Sequence, residues 1–188
     1  MSWPIYRGPW RVDLTVRDGI SSPVPRAALA RAVVAAAEAA GAPSPASVGL
    51  VLSKDAELAE LNASHLGRRG PTDVLSFPLL PPEAFPPHPG RLIDRSAVGP
   101  RAEPVAAFAL PPGRRLHLGD IVISVERATR QAGEGRGGQT GDVRWSPADE
   151  LLLLVTHGTL HLCGWDHVEP AEEAAMRSLE ARLLGHTG

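Results

Sequence analysis

The run His157-Gly158-Thr159-Leu160-His161-Leu162-Cys163-Gly164-Trp165-Asp166-His167 holds three of the chain's seven histidines. His157 and His161 stand four positions apart. On a helix they share one face, a single turn apart, with both imidazoles pointing the same way. Gly164 follows three residues after the second, and glycine readily takes the left-handed conformation that ends a helix and sends the chain back. Asp166 and His167 then fall on the returning segment, where a third imidazole closes on a metal held by the other two. Three neutral nitrogens hold Zn²⁺ and leave a fourth tetrahedral position for water, the arrangement of a catalytic zinc. The bland alternative is three helix-face histidines satisfied by backbone carbonyls; it needs separate reasons for the rings and the glycine. Cys163, the only cysteine, is either a further approach to the metal or a small buried residue at the helix end.

The spacing His-x-x-x-His-x-x-Gly-x-x-His is the ligand frame of the metzincin proteases. Those enzymes need Glu directly after the first histidine, as general base toward water at the zinc. Gly158 stands there instead. The ordinary peptidase mechanism therefore lacks its proton acceptor. Metal-assisted hydrolysis survives, because zinc alone brings the pKa of its water to about 7.

The elements around the motif follow from local signals. Ser146-Pro147-Ala148-Asp149 reads as a helix start, with Ser146 capping, Pro147 in the first turn and Asp149 completing a capping box. Leu151 to Val155 is apolar on all sides, so a buried central helix is expected from Pro147 to about Cys163, with the metal site at its end. Upstream, strands are expected at Arg11–Val16, Ser47–Leu52, Thr72–Phe77 and Leu118–Ser124. Helices are expected at Pro25–Ala40, on the surface, then at Asp55–His65 and Val125–Gln131, with an amphipathic one at Glu169–Leu184. Strands mixed with helices without regular alternation predict a single α+β domain, a mixed sheet of about four strands packed with about five helices. Leu79–His117 holds nine of the nineteen prolines and reads as a flexible insertion; Gly133–Gly141 reads as a flexible link.

Composition bounds the rest. A chain of 188 residues with 43% hydrophobic content suits one domain with a good core. One cysteine permits no internal disulfide, the N-terminus lacks a secretory pattern, and no apolar stretch is long enough to span a membrane. A soluble cytoplasmic protein is expected. The net charge of −2 gives no bulk signal for nucleic acid.

Three segments taken together resemble the YbeY family of bacterial zinc-dependent endoribonucleases. They are Leu61-Asn62 through Pro71-Thr72-Asp73-Val74-Leu75-Ser76-Phe77-Pro78, then Leu118-Gly119-Asp120-Ile121, then the histidine run. The resemblance implies a small α+β fold with a four-stranded sheet and one Zn²⁺ held by His157, His161 and His167. It also implies cleavage of single-stranded RNA in maturation of the 3′ end of small-subunit ribosomal RNA, ribosome quality control, and the ribosome or assembly factors as partners. The family usually places an arginine a few residues after Leu-Asn. Counting back from Thr72, that position holds Leu66, with Arg68 and Arg69 just beyond.

The expected chemistry is then zinc acting as Lewis acid on a phosphate oxygen, on water, or on both. Arg68 or Arg69 would steady the charge developing on the phosphate, or both are solvated loop charges. Asp73 and Asp120 either orient a histidine or position substrate, or else fix turns. Asp166 is the remaining candidate for proton transfer. Two other classes stay open: a zinc hydrolase of peptidase type, and a non-catalytic ribosome-assembly factor with structural zinc.

Overall fold

The computed structural model describes residues 2–67, 70, 72–91, 114–134 and 145–185. Trp10, Val12 and Leu14 alternate with more exposed neighbours, and this period of two makes β2 (Trp10–Val16) a strand with one face in the core. It pairs antiparallel with β1 (Ser2–Arg7) and parallel with β3 (Ala46–Ser53). β5 (Leu116–Ser124) runs parallel to β3, and β4 (Val74–Pro78) closes the far edge antiparallel to β5. Among the described residues the sheet is five-stranded and mixed, in the order β1-β2-β3-β5-β4. The sequence pattern had not marked β1: Pro4 interrupts it, and only an edge strand tolerates that.

Among the described residues, five helices pack against the sheet: α1 (Arg26–Ala39), α2 (Asp55–Leu66), α3 (Val125–Glu134), α4 (Pro147–Leu162) and α5 (Pro170–Leu183). α1 corrects an expectation. It is not a surface helix, since Leu29, Ala30, Val33, Val34, Ala36 and Ala37 are all buried. Small alanine side chains let it approach the sheet and α4 closely. Val48, Leu50, Leu52, Ile121 and Ile123 face the same core as α1 and α4. The intervening Val51 and Val122 face the other side, where Leu58 of α2 meets Leu75 and Phe77.

α4 begins with the expected reciprocal cap. The Ser146 hydroxyl accepts the Asp149 amide at 3.2 Å, and Asp149 Oδ2 accepts the Ser146 amide at 2.9 Å. Leu151, Leu153, Leu154, Val155, Leu160 and Leu162 are buried, so the helix runs through the interior rather than along it. Burying one such side chain is worth roughly 1.5–3 kcal/mol.

The Pro-rich stretch is less detached than its composition suggested. The Leu79 amide donates to the Leu118 carbonyl at 3.0 Å, a single 3₁₀ turn forms at Pro82–Ala84, and Phe85 is buried in the main core. At its other end, Leu116 and His117 already belong to β5. Residues 92–113 lie outside the described residues, as do Arg68, Arg69 and most of the glycine-rich link after Glu134. Among the described residues, no helix is long and apolar enough to cross a membrane.

Candidate metal centre

The end of α4 fixes the geometry. The Gly164 amide donates to the His161 carbonyl at 3.1 Å, and the Trp165 amide to the Leu160 carbonyl at 3.1 Å. Gly164 carries φ +81°. This paired closure needs the left-handed residue and turns the chain back toward the helix. Asp166 Oδ1 then accepts the amide of His167 at 2.8 Å, tightening the turn that presents the third ring.

The three imidazoles come together. Their centroids lie 4.5 Å apart for His157 and His161, 5.4 Å for His157 and His167, and 5.0 Å for His161 and His167. One ligand atom from each lies within 4.8 Å of the others. The hydrogen bonds on the outer nitrogens decide what the inner ones can do. His157 Nδ1 lies 2.7 Å from Glu180 Oε1, and His161 Nδ1 lies 2.9 Å from the Trp165 carbonyl. A carboxylate and a carbonyl accept, so both Nδ1 atoms donate. Both Nε2 atoms are then left as lone pairs in the neutral rings, and they face each other at 3.0 Å. Two acceptors head to head need a proton on one or a cation shared by both. Tetrahedral ligands at about 2.0–2.1 Å from zinc stand roughly 3.3 Å apart, close to this separation. The donor set of three imidazoles therefore suits a borderline-soft divalent ion.

Electrostatics favour the metal over the proton at the central ring. Burial first, then the neighbouring His157 and His167, push His161 down to about 4. A ring that resists protonation keeps its lone pair for an ion. Cys163 is fully buried, and burial pushes its thiol up to about 12, so it stays a neutral core residue.

Gly158 owes its place to packing. A Cβ there would stand 2.7 Å from Ile121 Cγ2, 3.1 Å from Val74 Cγ2 and 3.2 Å from Ser76 Oγ. The Ser76 hydroxyl also donates to the Gly158 carbonyl at 3.0 Å, tying helix to sheet. This position faces β4 and β5, with no room for the glutamate of a metzincin.

The acidic candidates divide. Asp73 accepts the Val74 amide at 2.9 Å and Gln131 Nε2 at 3.1 Å, so it fixes the entry to β4 against α3. Asp120 lies on the sheet face away from α4, over Gly49, with Oδ1 3.3 Å from His117 Nε2. Neither touches a clustered histidine. Asp166 does border the cluster, through the His167 amide. Glu180 was not singled out from sequence. Its signal was a carboxylate on the buried stripe of α5, beside Met176 and Leu179, where a charge needs a partner. Arg68 and Arg69 lie outside the described residues; next to them in sequence, Gly70 is tied to α2 by buried Asn62, whose Nδ2 donates to the Gly70 carbonyl at 2.9 Å.

Comparison with known proteins agrees with the motifs. The sequence model of the family described as Endoribonuclease YbeY matches residues 20–188. The chain is 40% identical over 160 residues to Endoribonuclease YbeY of Moorella thermoacetica, covering 85% of each chain. It is 34% identical over 178 residues to the protein of that name from Roseiflexus sp., covering 94% of this chain and 92% of the relative. The protein of that name from Salinispora tropica is 44% identical over 128 residues, 68% of this chain and 65% of its own. A solution structure of a Thermotoga maritima protein aligns with TM-score 0.48 at 20% identity, over 94% of this chain and 89% of that one.

Proposed function

The chain belongs to the Endoribonuclease YbeY family, and from that premise we propose that it cleaves RNA with one zinc ion held by His157, His161 and His167. The observation that carries this reading is the pair of Nε2 atoms facing at 3.0 Å, with His167 beside them.

When bound, zinc supplies Lewis acidity toward a phosphate oxygen and toward water. Everything else falls to the protein. Glu180 holds His157 in one tautomer and one orientation, and the Trp165 carbonyl does the same for His161. Both then offer Nε2 without a conformational search. His167 is exposed, so the centre opens toward solvent, where a polymer can reach it. Arg68 or Arg69 is the group that would meet the charge growing on the phosphate. Gly158 leaves no carboxylate where a peptidase carries its general base, which weighs against proteolysis.

The substrate in this reading is single-stranded RNA, and the biological task is maturation of the 3′ end of small-subunit ribosomal RNA together with ribosome quality control. The setting is the cytoplasm, with the ribosome or its assembly factors as partners. The test is cleavage by the purified, zinc-loaded chain of single-stranded RNA, duplex RNA and casein side by side. Cutting of single-stranded RNA that is lost in a folded His161→Ala variant is expected. Casein cleavage without RNA cleavage would overturn the reading, as would RNA cleavage that survives His161→Ala.

A further inference from the structure

The turn that carries His167 is braced from a third segment, residues 85–91, which belongs to neither α4 nor α5. Phe85 anchors this segment in the core. Beyond it, the His88 ring lies flat on the Trp165 ring, with centroids 4.4 Å apart and planes within 5°. Gly90 then runs so close to the indole that a Cβ there would stand 1.9 Å from Trp165 Cε3. Its carbonyl accepts the Asp166 amide at 2.7 Å.

Trp165 and Asp166 are the residues through which the centre is shaped. The Trp165 carbonyl holds His161 Nδ1, and Asp166 Oδ1 holds the His167 amide. His88 and Gly90 therefore touch no ligand ring, yet each grips a residue that orients one. His167 itself stands on exposed backbone past the helix end. An unbraced segment of that kind loses backbone entropy when it closes on an ion, about 1–2 kcal/mol for each residue fixed. Bracing it beforehand moves that cost into folding and leaves the affinity intact.

We propose that His88 and Gly90 are positioning residues of the metal centre, holding Trp165 and Asp166 so that His161 and His167 stand ready for the ion. The proposal rests on the reading of the three histidines as metal ligands. A plain packing role would make the same contacts but predicts a different result, namely lower stability of the metal-free protein with unchanged metal binding.

The experiment uses the full chain and the variants His88→Ala, His88→Phe and Gly90→Ala. Zinc affinity is measured by competition with a chromophoric chelator, the ligand field by the visible spectrum of the cobalt-substituted protein, and the fold by thermal unfolding of the metal-free form. His88→Ala and Gly90→Ala should weaken zinc by about 10–100-fold and alter the cobalt bands, with cooperative unfolding retained. His88→Phe keeps a flat ring on Trp165 and should bind zinc like the wild type. Should Gly90→Ala not fold, the two His88 variants decide the matter alone. Wild-type affinity and cobalt bands in His88→Ala would overturn the proposal and leave the metal centre standing. A wild-type protein that takes up neither zinc nor cobalt would bring down both.

Discussion

Glu180 Oε1 lies 2.7 Å from His157 Nδ1, and this contact ties α5 to the first ligand of α4 across 23 residues of sequence. Glu180 is itself buried, so its charge has little water to turn to. Removing the carboxylate leaves His157 free to change tautomer and to rotate. Glu180→Ala should lower zinc affinity by about 10–100-fold, read by chelator competition. Glu180→Gln should fall between, because an amide oxygen still accepts but carries no charge. Equal affinities in all three proteins would show that the contact orients nothing.

The narrow fit at Gly158 makes a stability prediction. In Gly158→Ala the new methyl meets Ile121 Cγ2 at 2.7 Å, so α4 has to lift from β4 and β5 and the bond from Ser76 Oγ stretches. Overpacking of this kind costs about 1–3 kcal/mol. The urea midpoint should drop with little change in slope. Gly158→Glu, which would restore the metzincin pattern, should instead fail to fold, since the longer chain has nowhere to go. A folded Gly158→Glu protein would mean that this face of the helix is roomier than the contacts imply.

Much of this architecture is legible in the residues, and the failures have physical causes. Caps and periodicity placed α4 correctly because its start and stop are local: Ser146 with Asp149 at one end, Gly164 at the other. The clustering of the three histidines was legible for the same reason. Glu180 meets His157 only once α5 has folded back, and no local pattern announces that. The direction in which Asp120 points was not legible for a subtler reason. The register of β3 and β5 shifts between Ser47 and Val48, opposite His117 and Gly119. This bulge lets His117 and Asp120, three residues apart, share a face and pair at 3.3 Å. The surrounding alternation turns that face away from α4. The misreading of α1 came from alanine, which suits solvent and close packing equally. Composition also could not show that residues 79–91 are seated, because their anchors are tertiary: Phe85 in the core with Leu80 against it, the Leu79 amide on the Leu118 carbonyl, and Gly90 on Asp166.

Acid should weaken the metal-free fold through His161. Burial holds this imidazole down at about 4 in the folded protein, against 6.5 for the free side chain. Between these values the unfolded chain binds more protons than the folded one, so stability rises with pH across that window. The contribution is complete above about pH 6.5 and is lost as pH falls toward 4, on the order of 3 kcal/mol in all. Denaturant titrations of the chelator-treated protein at a series of pH values should show this slope. In His161→Gln the slope should flatten. A wild-type profile that stays flat from pH 6.5 to 4 would contradict the burial of a neutral ring.

Asn62 offers a way to separate the loop from the metal. Its side chain is buried and donates to the Gly70 carbonyl at 2.9 Å, next to the Arg68–Arg69 position. Asn62→Leu keeps the volume but removes the donor and leaves the carbonyl to find water. Gly70 should then lose its tie to α2, at a stability cost of about 1–3 kcal/mol. Zinc affinity should hold, because no clustered histidine contacts this residue. RNA cleavage should nonetheless fall, with a larger effect on kcat than on KM if the loop arginine acts on charge that develops only in the transition state. A matched charge-removal control, Arg68→Gln with Arg69→Gln, should reproduce the kcat loss without the stability loss. If the control cleaves like the wild type, the arginines are solvated charges, and any deficit in Asn62→Leu belongs to the fold alone.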